Sequence, residues 1–154
     1  MQFQKFNESI LIIDFGSQVT KLIARRIRDL GVHSEVVTPK EVEKIKDYSE
    51  VKGIIFSGGP SSVTKSKYQS IPNHIFTKKI PILGICYGLQ LIAKLYGGKI
   101  KSSKKRREFG RAFIFKKSQS LLTKNFFTSR AAVWMSHEDA VVELPKGFKS
   151  VAFT

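Results

Sequence analysis

The chain of 154 residues is long enough for one domain of ordinary size, and a 42% hydrophobic composition with 11% aromatic residues supplies a packed core. No apolar run reaches the roughly 18 residues of a membrane span, and the first residues lack the basic and then apolar order of a secretory signal. We therefore expect a globular, cytoplasmic protein. The single cysteine excludes an internal disulfide and a cysteine-based zinc site, so its thiol is free.

The charge balance is strongly basic, with 27 Lys and Arg residues against 12 Asp and Glu residues and a formal net charge of +15. Such an excess raises the question of a nucleic acid or another polyanion as a partner. The lysines are spread over most of the chain, and the one dense cluster, residues 99–107, has no aromatic residues among its charges to stack on bases. We interpret the excess as a solvated surface and expect neither a nucleic-acid nor a membrane partner.

Strand and helix signals alternate from the start of the chain. The apolar run Ile10–Asp14 predicts a buried strand that ends in a turn. A stripe at helical spacing predicts a helix next, with Ser17 as its N-cap and Gly31 as its C-terminal stop. The stripe comprises Val19, Leu22, Ile23, Arg26, Ile27 and Leu30.

The alternation continues through four further segments. Val32–Thr38 predicts a second strand, and Pro39–Asp47 predicts a short charged helix. Gly53–Phe56 and Pro81–Ile85 predict a third and a fourth strand. Strands that are apolar on both faces and separated by helices indicate an α/β layered fold, with a mainly parallel central sheet flanked by helices.

The pattern changes after about Gly98 to shorter runs, such as Arg111–Phe115 and Ala131–Met135. These runs predict a short antiparallel C-terminal portion toward one edge of the fold. No repeat, linker or low-complexity tract marks a second domain, so we assign residues 1–154 to one domain.

The last residues, Phe148–Thr154, predict a strand without a closing turn. Val151 and Phe153 would then lack the partner strand that should cover them. We therefore expect the chain to be a fragment of a domain that is incomplete at its C-terminus.

The carboxyl ends of the predicted parallel strands carry three segments that should form one rim, because functional groups of such sheets collect there. They are Asp14–Gln18, Ser57–Pro60 and Cys86–Gly88.

Cys86 lies where the fourth strand turns into a helix, whose predicted apolar residues are Leu89, Ile92, Ala93 and Tyr96. The sequence Gly-Ile-Cys-Tyr-Gly is typical of a nucleophile elbow, with sulfur in place of the serine oxygen. A helix N-terminus favours the thiolate form of such a cysteine. The alternative is a buried, inert packing cysteine.

Together with two later segments, this rim resembles the class I glutamine amidotransferase family, whose α/β fold is flavodoxin-like. The matching segments, in the family's order, are Ile12–Gln18, Ser57–Pro60, Gly84–Gln90, Arg107–Gly110 and Trp134–His137 with Asp139. The first and fourth of them favour the branch of the family that supplies ammonia for the amination of XMP to GMP.

The resemblance implies hydrolysis of the side-chain amide of glutamine. Cys86 would be the nucleophile that forms a glutamyl thioester. The backbone N–H groups of Gly59 and Tyr87 would form the oxyanion hole.

The resemblance also implies that four residues bind glutamine: Gly58, Gln90, Ser136 and His137. The alternatives are an ordinary turn at Gly58 and Gly59, a solvated helix position at Gln90, and a strand-end histidine without a catalytic role at His137.

The ammonia would pass to a synthetase (ATP pyrophosphatase) domain, fused or separate, that uses ATP and magnesium. Gly58–Pro60 lacks the Gly-Lys-Ser/Thr ending of a phosphate-binding P-loop. We expect no cofactor and no metal in this chain, and a homodimer that forms through the missing part.

Two features depart from the family pattern. Glu138 stands where the family typically has glycine, and no His-x-Glu pair follows Cys86 to supply the base and its orienting carboxylate. His33–Glu35 fits that spacing but precedes the cysteine, and His137 with Asp139 belongs to the glutamine-binding segment. We therefore expect the chain alone to be a crippled glutaminase. A non-catalytic remnant or regulatory subunit, the amidotransferase of another biosynthetic enzyme, and a cysteine hydrolase with another substrate stay open as alternatives.

Overall fold

The computed structural model of the protein describes residues 8–102 and 108–154. They form two compact units, one that ends at Ile92 and one that begins at Ala93. Arg107 of the predicted family motif and most of the basic cluster lie outside the described residues. Within the described ranges, no helix is both long and apolar enough to cross a membrane.

A four-stranded parallel sheet forms the centre of the first unit. Its strands are β1 (Ser9–Ile13), β2 (His33–Val37), β3 (Val51–Phe56) and β4 (Ile82–Gly84), in the order β2-β1-β3-β4. The two central strands are the most buried, since Ile12 and Ile13 on β1 and Phe56 on β3 are fully shielded from solvent. The predicted α/β fold with a parallel sheet is confirmed.

The first helix, α1 (Thr20–Asp29), packs through a face that coincides only in part with the predicted one, in which Ile23 and Ile27 are half-buried. Thr20 and Ala24 are buried, whereas Leu22 is 51% and Leu30 83% exposed. Hydrogen bonds set this rotation: the Thr20 hydroxyl donates to Asp14 Oδ1, and the hydroxyl of Ser34 on β2 donates to the carbonyl of Ala24. Small side chains therefore face inward, and the predicted apolar stripe is partly wrong.

Of the two predicted ends of α1, the C-terminal one is confirmed and the N-terminal one is wrong. The prediction of Ser17 as the N-cap is wrong, because Val19 occupies that position and makes no side-chain cap. Ser17 Oγ instead accepts a hydrogen bond from the N–H of Val19 itself. The predicted stop at Gly31 is confirmed by its φ of +80°, a conformation that glycine adopts without strain.

The second helix is shorter than predicted. A capping box between Thr38 and Glu41 starts α2 (Pro39–Val42). The carboxylate of Asp47 then accepts hydrogen bonds from the N–H and the hydroxyl of Ser49, which forms a turn in place of further helix. The remaining helices are α3 (His74–Thr77) and α4 (Tyr87–Leu95).

The second unit contains two antiparallel sheets, as the predicted antiparallel portion requires. One sheet pairs β5 (Lys99–Ser102) with β8 (Asp139–Glu143). The other has the order β7-β6-β9 and consists of β6 (Glu108–Lys116), β7 (Arg130–His137) and β9 (Ala152–Phe153).

The C-terminal strand has a partner, so the expectation that Phe153 lacks one is wrong. Phe153 lies opposite Phe115 on β6, and the two rings stack with their centroids 5.7 Å apart. The pairing is possible because β6 extends beyond the predicted Arg111–Phe115 to Lys116, which pairs with Ala152.

Candidate active site

The three predicted rim segments meet at the carboxyl ends of β1, β3 and β4. A Cβ atom added to Gly58 would lie 3.7 Å from Cβ of Cys86 and 3.6 Å from Oγ of Ser17. The loop after β3 therefore lies between the loop after β1 and the cysteine that follows β4.

Cys86 forms the sharp strand-to-helix turn that the sequence predicts. Its φ is +50°, and among the described non-glycine residues only Lys79 shares a positive φ. Such a backbone conformation costs on the order of 1–3 kcal/mol and occurs preferentially at functional sites. The residue is exposed, which excludes the alternative of a buried packing cysteine.

The two glycines that flank the turn are required by close packing. A Cβ atom on Gly84 would lie 2.6 Å from the backbone nitrogen of Leu89, and one on Gly88 would overlap the carbonyl group of Phe56. Neither position has room for a methyl group. The Gly-x-Cys-x-Gly pattern is therefore explained by the sharp turn from β4 into α4, which packs closely against the end of β3.

Backbone hydrogen bonds hold the elbow against the end of β3. The N–H of Ile85 donates to the carbonyl of Phe56 at 2.9 Å, and the N–H of Gly88 donates to the carbonyl of Ser57 at 3.1 Å. The carbonyl of Cys86 accepts the N–H of Gln90 at 3.1 Å, so Cys86 is the last residue before α4. The N–H of Tyr87 lies in the first helical turn, where N–H groups have no partner within the helix.

The side chain of Tyr87 packs the start of α4 against the loop after β1. It is 1% exposed and packs against the ring of Phe15, with centroids 5.1 Å apart. Its hydroxyl donates to the carbonyl of Gln69 at 3.0 Å, and burial raises the pKa of that hydroxyl.

Gly59 packs closely against the loop after β1. A Cβ atom there would lie 2.5 Å from the carbonyl oxygen of Phe15. Gly58 has more room, since its nearest atoms would be at ordinary van der Waals distances. The lack of a side chain at Gly59 is therefore a steric requirement of its packing against Phe15.

Asp14 joins the loops after β1 and β3, and this role was not predicted from the sequence. Its Oδ1 accepts hydrogen bonds from the N–H of Gly16 at 2.9 Å, the N–H of Ser17 at 3.3 Å and the hydroxyl of Thr20 at 2.8 Å, and it lies 3.5 Å from the hydroxyl of Ser57. Burial raises the pKa of Asp14, but these hydrogen bonds outweigh burial and hold the pKa below its usual value.

Gln90 lies on the buried face of α4 and is 7% exposed, so the alternative of a solvated helix position is wrong. Tyr87, Gln90 and Leu91 share this face at a spacing of three and four residues. The predicted positions Ile92 and Ala93 are also buried. Leu89 and Tyr96, by contrast, are 51% and 49% exposed.

Ser136 and His137 lie at the end of β7 in the second unit. Ser136 is exposed, and His137 lies directly opposite Glu108 on β6. His137 Nε2 is 2.9 Å from Oε2 of Glu108, and its Nδ1 is buried without a hydrogen-bond partner among the described residues. Glu108 belongs to the Arg-Glu-Phe-Gly motif, but its pairing with His137 was not predicted.

Glu138 needs none of the conformational freedom of glycine. It is the one residue between β7 and β8, and its φ is not positive, since the non-glycine residues with a positive φ in the described ranges are Lys79 and Cys86. The substitution of the family's glycine therefore leaves an ordinary backbone at this position.

A cavity of about 510 Å³ opens beside Asp14, on the side of the sheet where β1 meets β2. Gly16, Thr38, Pro39 and Lys40 contribute to its walls. Cys86 is not among its lining residues. The cavity and the nucleophile elbow therefore occupy different stretches of the same rim.

The exposed Cys86, on a turn from strand to helix beside the loop Ser57–Pro60, has the arrangement of a nucleophile elbow on an α/β sheet. The family model "Glutamine amidotransferase class-I" matches residues 11–154. The chain belongs to the class I glutamine amidotransferase family.

Within this family, the chain is similar in sequence to glutamine-hydrolysing GMP synthases. The chain is 46% identical over 155 residues to that of Staphylococcus carnosus and 48% identical over 153 residues to that of Treponema denticola. Each alignment covers 99% of this chain and 29% of the relative's length. The matched region is therefore one part of these larger proteins.

Solved structures support the same fold. A candidate GMP synthase subunit from Thermoplasma acidophilum superposes with a TM-score of 0.80 at 28% identity, covering 97% of this chain and 74% of that one. A glutamine amidotransferase from Thermotoga maritima superposes with a TM-score of 0.72 at 24% identity, covering 96% of this chain and 67% of that one, which supports the fold alone.

Proposed function

We propose that this chain is the glutaminase portion of a GMP synthase and that Cys86 is its nucleophile. One observation carries the proposal: the cysteine is exposed at a positive φ on the turn into α4, next to Gly58. A strained backbone at an exposed thiol costs stability and is typical of a reactive centre.

In the proposed reaction the sulfur of Cys86 attacks the side-chain amide carbon of glutamine. The C–N bond of the resulting tetrahedral intermediate then breaks, ammonia leaves with an added proton, and a glutamyl thioester remains. Water later cleaves the thioester to glutamate and restores the thiol. No residue of these 154 is assigned the role of the base in that last step.

The backbone N–H groups of Gly59 and Tyr87 are the proposed donors to the oxyanion. Tyr87 follows the nucleophile directly, and its N–H belongs to the first turn of α4. Gly59 is held by its close approach to Phe15. Loss of one such donor typically lowers the rate about 10²- to 10³-fold.

Gly58, Gln90, Ser136 and His137 are the proposed contacts of glutamine. Gly58 leaves open the space in front of Cys86, and the burial of Gln90 favours a fixed side-chain position. The exposed Ser136 and the paired His137 would hold the amino-acid end of the substrate.

The ammonia would aminate XMP to GMP at a synthetase domain, fused or separate, that uses ATP and magnesium. The GMP synthases that this chain resembles are more than three times its length, which supports a further domain of this kind. A homodimer formed outside these residues and a cytoplasmic location complete the proposal.

Labelling with a chloroketone analogue of glutamine, whose electrophilic carbon replaces the side-chain amide, tests the proposal. Cys86 is the one cysteine, so mass spectrometry assigns the adduct without ambiguity. We expect the folded chain to react faster than the same chain unfolded in urea, and glutamine to slow the reaction. Equal rates in both states, with no protection by glutamine, would contradict the nucleophile assignment.

A truncated chloroketone without the α-amino and α-carboxyl groups serves as the matched control. A glutaminase should label more slowly with this reagent, because the groups that the substrate contacts recognise are missing. Equal labelling by both reagents would instead favour a cysteine hydrolase with another substrate.

A further inference from the structure

Ser57 is a buried residue beside the candidate site, and its hydroxyl both donates and accepts hydrogen bonds. It is 0% exposed, and its hydroxyl both donates to the carbonyl of Gly58 at 2.8 Å and accepts the N–H of Phe15 at 3.0 Å. Its own N–H donates to Ile13, and its carbonyl accepts the N–H of Gly88. One buried residue thus connects β1, the loop after β3 and the nucleophile elbow.

The bond from Ser57 to Gly58 fixes the orientation of the next peptide group. In a trans peptide the C=O of one residue and the N–H of the following residue point in opposite directions, and no cis peptide is found among the described residues. While the Ser57 hydroxyl holds the carbonyl of Gly58, the N–H of Gly59 must therefore point away from Ser57. In the proposed function, the N–H of Gly59 is one of the two donors to the oxyanion.

This peptide group needs an external constraint because glycine stands at both of its ends. Without Cβ atoms, rotation of the Gly58–Gly59 peptide meets little steric resistance from its own residues. The constraint is itself held in place, because the N–H of Phe15 donates to the oxygen of the Ser57 hydroxyl at 3.0 Å. Oδ1 of Asp14, at 3.5 Å from this hydroxyl, is a weaker alternative acceptor than the carbonyl of Gly58 at 2.8 Å.

We propose that Ser57 is a positioning residue that locks the Gly58–Gly59 peptide with the N–H of Gly59 available to the oxyanion. The proposal rests on the proposed function, since it needs Gly59 as an oxyanion donor. Ser57 does not touch the substrate, because its side chain is fully buried. Its hydroxyl should matter for attack on a carbonyl and not for reactions of Cys86 that form no oxyanion.

Two reagents separate these kinds of reaction on the same thiol. Acetylation of Cys86 by p-nitrophenyl acetate passes through a tetrahedral oxyanion: the sulfur–carbonyl bond forms and nitrophenolate leaves. Alkylation by iodoacetamide is a direct displacement of iodide that forms no oxyanion. The ratio of the two rates, measured by mass spectrometry on the peptide that contains Cys86, reports the oxyanion hole alone.

Ser57→Thr and Ser57→Val are the matched variants, because they have nearly the same shape and differ in the hydroxyl. We expect Thr to keep the ratio of acetylation to alkylation within about twofold, and Val to lower it about 10-fold, a part of the 10²- to 10³-fold that loss of a whole donor costs. Ser34→Ala is the control, since Ser34 is a buried serine whose hydroxyl also donates to a backbone carbonyl, that of Ala24.

Three outcomes would overturn the proposal in distinguishable ways. An unchanged ratio in Ser57→Val would show that the hydroxyl does not orient the donor. An equal loss of both rates in Val and Thr would show a purely structural role for Ser57. If Cys86 of the unchanged chain is acetylated no faster when folded than in urea, the elbow assignment fails first, and the proposed function fails with it.

Discussion

The carbonyl group of Phe56 occupies the space that a side chain on Gly88 would need. Gly88 is the second residue of α4, and helices favour alanine over glycine, by about 1 kcal/mol in their interior. A net loss of stability in Gly88→Ala must therefore come from this overlap. We expect that loss to be about 1–3 kcal/mol in urea unfolding. Gly58→Ala is the control, because its methyl group would meet its nearest atoms at 3.6 and 3.7 Å. Equal midpoints for the two variants would contradict the packing account.

Asp14 should make the stability of the protein depend on pH in the acidic range. Burial raises its pKa, but the hydrogen bonds from Thr20, Gly16 and Ser17 hold the folded-state pKa below the ordinary value of 3.8. The carboxylate therefore contributes stability that is complete at neutral pH and is lost as the pH falls through the folded-state pKa.

The substitution Asp14→Asn tests this dependence, because the amide keeps one acceptor oxygen and cannot ionise. We expect the unchanged protein to be more stable than the variant at pH 7, and the difference to shrink as the pH falls below about 4. Urea unfolding of both proteins from pH 7 to pH 3 measures it. A difference that stays constant over this range would show that the charge of Asp14 does not contribute.

The strands of the first unit could be predicted because their apolar runs are short and are separated by turn residues. The faces of the helices could not be predicted in the same way. In α1 the hydrogen bond from Thr20 to Asp14 turns small residues inward and leaves Leu22 exposed. In α4 the elbow at Cys86 sets where the helix starts, and Gln90 is buried while Leu89 is exposed. The periodicity of apolar residues predicts that a helix has a buried face, but it does not predict the hydrogen bonds that decide which face is buried.

The candidate site was predictable where a local pattern carries it. Gly-x-Cys-x-Gly describes a turn within five positions, and the structure shows that turn at Cys86. Contacts between residues that are far apart in the chain have no such local sequence pattern. Asp14 and Ser57 are 43 positions apart, and Glu108 and His137 are 29 apart, so each pair meets only when the strands that carry them pack together.

The positive φ of Cys86 predicts a reversal of the usual preference for alanine over glycine. At +50° an L-residue is strained by about 1–2 kcal/mol, and glycine is not. We expect Cys86→Gly to be more stable than Cys86→Ala by about 1 kcal/mol in urea unfolding. Neither variant retains the thiol, so the comparison isolates the backbone.

The matched pair is Leu89→Gly and Leu89→Ala, at an exposed position inside the same helix. There the order should be the ordinary one, with alanine more stable by about 1 kcal/mol. If glycine were the less stable residue at both positions, the elbow would not be strained, and the positive φ of Cys86 would not support a reactive thiol.

Stacking of Phe153 on Phe115 should hold β9 on β6, with their ring centroids 5.7 Å apart. An aromatic pair contributes about 0.5–1.5 kcal/mol beyond its buried area, so Phe153→Ala should favour local opening about 2- to 12-fold. The N–H of Lys117 reports that opening, because it donates to the carbonyl of Val151 just before β9. Its hydrogen exchange should accelerate by that factor. Phe109→Ala, at the far end of β6 and 63% exposed, should leave the exchange unchanged. Equal exchange in both variants would mean that the ring pair does not hold the strand.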